Sequence, residues 1–140
     1  MYGGHYQSAE ACFRELLAGD PRNSPARYYL GDACLRAGQS ANALREWERA
    51  LEIDPEYAPA AEALGAWWMG RENYARARTY FQKTLEAAPL DTTALLEEGI
   101  AEERLGLLPE ALEHLEDACR LDPDLPDCHR QLKALQDKLK

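Results

Sequence analysis

The 140-residue chain has no run of about 20 consecutive apolar residues, the length a membrane-spanning helix needs, so no such helix is expected. Its first residues, MYGGHYQSAE, lack the basic and apolar regions of a secretion signal. Positive charge is scarce: 16 Lys and Arg stand against 25 Asp and Glu, a net charge of −9. That balance argues against nucleic acid, where affinity comes largely from cations neutralising phosphates, and against an anionic membrane surface. A basic peptide partner remains compatible with it.

Catalytic constellations are also missing. His5, His114 and His129, with Ser8, Ser24 and Ser40, fall mainly in turns or at helix ends. No stretch resembles a nucleophile elbow, and no glycine-rich loop could cradle a phosphate. A non-catalytic chain without a cofactor is expected. The four cysteines, Cys12, Cys34, Cys119 and Cys128, show no clustered spacing. They read as free thiols of a reducing compartment, which makes the cytoplasm the expected location. Cys128-His129 near Cys119 lacks the paired motif that would complete four zinc ligands, so no metal is expected there. Acidic pairs such as Glu97-Glu98 and Glu102-Glu103 read as solvated helix faces.

What is present is a period. Pro21, Pro55, Pro89 and Pro123 lie 34 residues apart, each closing a helical pattern such as ALREWERALEIDP. Twelve residues before each comes Ala9, Ala43, Ala77 or Ala111, and eight before comes Phe13, Trp47, Phe81 or Leu115. Five before stand Leu16, Ala50, Thr84 and Ala118, and Gly31, Gly65 and Gly99 lie ten residues after the first three prolines. Periods of this size mark solenoids and repeat arrays. Each unit reads as two amphipathic helices, the second ended by a proline that cannot continue it. First helices start near Ser24-Pro25, Ala58-Pro59, Thr92-Thr93 and Leu125-Pro126, with Ser24 and Thr92 as N-cap candidates. The pattern predicts helices over 5–18, 24–37, 40–53, 58–71, 74–87, 92–105, 108–121 and 126–139, separated within units by AGQS, GREN and LGLL.

These columns carry a resemblance. Leu30-Gly31 with Cys34, Leu64-Gly65 with Trp68, then Ala43, Trp47, Ala50 and Pro55, and Ala77, Phe81 and Pro89, make the chain similar to tetratricopeptide repeats. The resemblance implies an all-α, right-handed α-solenoid of about eight antiparallel helices. It implies one domain over 1–140: an orphan second helix at 5–23, full repeats at 24–57, 58–91 and 92–125, and a capping helix at 126–140. Leu132, Leu135 and Leu139 form the apolar stripe of that cap. Three positions depart from the family pattern. Glu98 stands where the family has leucine, Glu72 where it has a turn glycine, and Cys34 where it has tyrosine.

The resemblance further implies a concave groove, lined by first helices, that takes an extended or helical peptide. On matching positions it would present Tyr28, Asp32, Leu35, Arg36, Glu62, Ala66, Met69, Leu96, Ile100, Glu103 and Arg130. An apolar stripe flanked by acids suits a basic or amphipathic partner. One subgroup grips chaperone-tail carboxylates with Lys, Asn and Arg; here Tyr28, Asp32, Glu62, Ala63, Ala66 and Glu97 would repel or ignore them. Trp67 replaces Ala33 and Ala101 of the other units, either packed into room left by Ala63, Ala66 and Gly70 or serving as an anchor for a partner. Two other functional readings stand beside a scaffold. The chain is a self-associating homodimer module through its open N-terminal helix, or the docking domain of a larger enzyme. A piece of a longer protein is the expected origin of the unpaired first helix. Arg outnumbers Lys by 12 to 4 and alanine is abundant, a bias of GC-rich, bacterial genomes.

Overall fold

Alternating 34-residue punctuation becomes eight helices in the computed structural model, which describes the backbone of residues 2–140 and the side chains of residues 7–140. The helices are α1 (Tyr2–Gly19), α2 (Ser24–Arg36), α3 (Ser40–Ile53), α4 (Ala58–Gly70), α5 (Tyr74–Ala87), α6 (Thr92–Arg104), α7 (Leu108–Leu121) and α8 (Cys128–Lys138), with no strand among the described residues. His5 lies outside the described side chains. The chain divides into two compact units, Met1–Leu64 and Gly65–Lys140.

The three first-helix ends share one hydrogen-bonded stop. After α2, the Gln39 N–H donates to the Cys34 carbonyl at 2.8 Å, while Gly38 adopts φ +84°. After α6, Leu107 donates to Glu102 at 2.8 Å around Gly106 at φ +81°. After α4, Asn73 donates to Trp68 at 3.0 Å, and Glu72 takes φ 59°. This bond from the residue after a left-handed one back across the last turn is a Schellman stop, normally built on glycine. Glu72 therefore carries the left-handed backbone that its two counterparts leave to glycine.

The Asp-Pro pairs make a different turn. The Asp54 carboxylate accepts from the Glu56 N–H at 3.1 Å, and the Asp54 carbonyl accepts from Tyr57 at 3.0 Å. Asp20 and Asp122 repeat the side-chain bond, to Arg22 and Asp124, both at 3.1 Å. The aspartate mimics a backbone turn, and the proline holds the chain out of the helix.

Two expected N-caps move by one residue. Asn23 and Asp91 cap α2 and α6, accepting from Ala26 and Ala94 at 3.0 and 3.1 Å. Ser24 instead points inward, its hydroxyl 3.4 Å from the Ala50 carbonyl. An amide or carboxylate side chain just before the helix reaches the third N–H more readily than a serine that is needed in the core. The last helix also starts later than expected, at Cys128, because Asp127 sits at φ 67° and cannot belong to it.

Packing explains the glycine and large-apolar columns together. A Cβ on Gly31 would lie 2.5 Å from Trp47 Nε1, one on Gly65 2.8 Å from the Phe81 ring, and one on Gly99 2.9 Å from Leu115. Each first-helix glycine is thus the floor on which the second helix of its repeat seats its large side chain. In unit 1 the Trp47 indole also donates to the Tyr28 carbonyl at 3.2 Å. In unit 2, Leu95, Leu96, Ala111, Leu115, Ala118 and Leu135 form one core, and Ala77, Phe81 and Ala94 another.

The cysteines do not all remain free. Cys119 and Cys128 are joined by a disulfide, their Cα atoms 5.7 Å apart, whereas Cys12 is free and exposed and Cys34 free and buried. The nine-residue separation gave no motif, but the Asp122 turn folds α8 back on α7 and brings the two thiols together. Four free thiols were the ground for expecting a reducing compartment, and that ground is gone.

Candidate protein-binding surface

On unit 1 the expected surface gathers around aromatic rings. Tyr28 is half-buried and meets Tyr29 and Tyr57 edge-on, with centroids 5.0 and 5.9 Å away, while Phe13 stacks on Tyr29 at 5.8 Å. Burial, reinforced by the nearby Asp32 carboxylate, pushes the Tyr28 phenol above its ordinary range. Asp32 receives a hydrogen bond from Arg36 one turn on, at 3.1 Å. Glu62 of α4 adds negative potential at Tyr28. Leu35 is half-buried and Arg36 exposed. This unit therefore offers a partly open tyrosine cluster with acids beside it.

On unit 2 the expected residues are less alike. Ala66 is exposed, and Trp67 is half-buried with the Arg71 guanidinium 4.4 Å above its ring, a cation–π contact. Met69 packs against the Phe81 core and Ile100 against the Leu115 core. Leu96 is only 6% exposed and belongs to that core. Glu103 is nearly covered and paired with Lys138 of α8 at 2.5 Å, and Arg130 reaches Asp127 at 2.7 Å on the surface. Burial pushes the Glu97 carboxyl up.

The sequence reading of the acidic pairs needs correction. Glu98 and Glu102 are 1% and 0% exposed, and so are not a solvated face. Glu102 accepts from Arg78 Nε at 2.9 Å and contacts His114 Nδ1 at 2.5 Å. That bond raises the His114 pKa, and burial raises that of Glu98 against the opposing pull of His114. The signal was present in the departure already noted: a carboxylate at a leucine position of a first helix, one turn from a second, must be inside. Its partners Arg78 and His114 lie 24 and 12 residues from Glu102, and no local spacing marks them.

A family model described as tetratricopeptide repeat matches residues 1–59 and 69–126. The chain belongs to the tetratricopeptide repeat family, an all-α solenoid of helix–turn–helix units that serves as a protein–protein interaction scaffold. Its members are generally non-catalytic. A comparison with curated protein sequences found no match. Among solved structures, MamA from residue 41 onward, from Desulfovibrio magneticus RS-1, is 22% identical with a TM-score of 0.81, over 96% of this chain and 76% of that one. The first repeat domain of Spaghetti (RPAP3), bound to the HSP90 peptide SRMEEVD, is 18% identical with a TM-score of 0.76, over 86% of this chain and 95% of that one. The N-terminal domain of stress-induced protein-1 from C. elegans is 19% identical with a TM-score of 0.70, over 81% and 94%. At these identities the likeness is one of fold. Among the described residues, no helix is long and apolar enough to cross a membrane.

Proposed function

We propose that the chain is a non-catalytic module that binds an extended or helical segment of a protein partner on its first-helix faces. The partner segment is basic or amphipathic. The observation that carries this reading is the half-buried Tyr28 cluster with Asp32 and Glu62 acting on it. Tyrosine offers a large, stiff contact surface, and flanking acids select a cationic rim on the partner. Unit 2 carries a candidate set of its own, Ala66, Trp67, Met69, Ile100 and Arg130, with Leu96 in its core and Glu103 paired with Lys138.

Chaperone-tail binding is disfavoured. Gripping a terminal carboxylate needs cations, and Asp32, Glu62 and Glu97 stand at the matching positions. The RPAP3 domain was captured with SRMEEVD, an acidic peptide; this chain should ignore it. Fluorescence anisotropy with SRMEEVD and with peptides selected from a random library tests both statements. Expected are basic or amphipathic winners whose binding drops at least ten-fold with Asp32→Lys plus Glu62→Lys, and no response to SRMEEVD. Winners that are acidic, or that survive both the charge reversal and Tyr28→Ala, refute the reading.

Exposed Leu16 on α1 and Tyr29 on α2, 54% and 50% accessible, favour self-association as the second reading. Analytical ultracentrifugation of wild type and Leu16→Glu separates it from the first. A concentration-dependent dimer lost in Leu16→Glu supports it.

A further inference from the structure

The buried acids of α6 have unequal partners. Glu102 is satisfied twice, by Arg78 and by His114. A carboxylate already held by a guanidinium is an acceptor, so it accepts from His114 Nδ1–H, and in the neutral imidazole this leaves the lone pair on Nε2, on the other side of the ring. On that side, 3.9 Å away, lies Glu98 Oε2. This gap is too long for a hydrogen bond. Glu98 Oε2 is screened from solvent and makes no hydrogen bond among the described residues, while Gln82 acts on the Glu98 carboxyl as a hydrogen-bond donor that favours its charged form. Glu98 and His114 also line one open cleft of about 490 Å³ with Gln82, Leu85 and Glu86.

We propose that His114 Nε2 and Glu98 Oε2 are the protein ligands of a divalent transition-metal ion of the zinc class, with Glu102 orienting the imidazole and water completing the shell. Zinc bonds to nitrogen and oxygen are about 2.0–2.2 Å, so two donors on a tetrahedral ion stand about 3.3–3.6 Å apart. The 3.9 Å gap reaches that spacing with a side-chain shift of about half an ångström, and one ligand atom from each of Glu98, Glu102 and His114 falls within 4.8 Å of the others. A carboxylate on the far nitrogen is the usual support of a metal-bound histidine, fixing tautomer and ring plane. Imidazole with carboxylate favours zinc-like ions over magnesium or calcium, which prefer all-oxygen shells. The site is independent of the Tyr28 surface, so either proposal can fail alone.

The test uses the full chain with its disulfide intact, free of a histidine tag and carrying Cys12→Ser to remove the exposed thiol. Zinc chloride is titrated by calorimetry in a non-coordinating buffer. One equivalent should bind, and Glu98→Gln or His114→Gln should weaken it at least ten-fold. Removal of the orienting carboxylate by Glu102→Gln should cost about 10–100-fold, whereas His129→Gln should change nothing. Far-UV circular dichroism confirms that each variant folds. Should a variant fail to fold, long-range ¹H–¹⁵N spectra of the wild-type side chains decide: zinc must shift His114 Nε2. No zinc binding, binding indifferent to Glu98→Gln, or shifts confined to His5 and His129 would overturn the site. Displacement by equimolar magnesium would overturn its assignment to zinc-class ions.

Discussion

A single added methyl group should have opposite effects at Gly31 and at Gly70. Alanine is favoured over glycine inside a helix by roughly 1 kcal/mol, chiefly through backbone entropy. At Gly70 nothing lies within 4 Å of the new carbon, so most of that gain should be kept, less some because the site ends α4. At Gly31 the carbon would stand 2.5 Å from Trp47 Nε1 and 2.6 Å from Cδ1, with the Ala43 carbonyl at 3.1 Å. Carbon contacts are optimal near 3.5–4.0 Å. The indole must therefore retreat by about 1 Å or more, and its hydrogen bond to the Tyr28 carbonyl, 3.2 Å long, resists that. Overpacking costs about 1–3 kcal/mol and a lost hydrogen bond about 1. After subtracting the propensity gain, Gly31→Ala should lose about 1–3 kcal/mol, while Gly70→Ala should gain a few tenths to about 1. Urea unfolding followed at 222 nm measures both. A Trp47→Leu background, with a smaller and more flexible side chain, should shrink the Gly31→Ala penalty by about 1 kcal/mol, a coupling read directly from the double-mutant cycle. A Gly31→Ala protein as stable as wild type would refute the account of the glycine column.

Glu72→Gly should raise stability by about 1 kcal/mol, since a left-handed residue with a side chain costs roughly that much; an unchanged or lowered urea midpoint would contradict the strain assigned to it. Asn23→Ala and Asp91→Ala should each lose about 1 kcal/mol, whereas Thr92→Ala should be close to neutral, and equal losses at all three would undo the cap assignment. Thiol labelling of native protein at pH 8 should modify Cys12 quickly and Cys34 slowly. The thiolate is the reacting form, and burial pushes the Cys34 thiol up. Denaturation should expose two thiols in total, and reduction followed by denaturation four. Four labels without reductant would exclude the Cys119–Cys128 bond, whose loss should cost about 2–3 kcal/mol for a loop of this length.

Sequence alone determined the helices, the repeat and the family, because each rests on local chemistry. Proline at 34-residue intervals ends helices wherever the rest of the chain goes. The Asp-Pro turns and the spacing of alanine and large apolar residues are equally local, and α2 to α7 fall within a residue of expectation at each end. The candidate surface was legible only in part. Tyr28, Asp32 and Trp67 keep accessible side chains, but Leu96 is core, because a helical position shows which face a residue takes and not what later packs over it. Other features were decided by tertiary structure alone. The second-helix residue that touches each glycine, the Cys119–Cys128 pairing, and the burial of Glu98 and Glu102 beneath Arg78 and His114 all depend on contacts between helices. Charge is the plainest case. In sequence a glutamate signals solvent, since an unpaired carboxylate is costly to bury, and only the fold brings Arg78 and His114 from two other helices to Glu102 and makes its burial affordable.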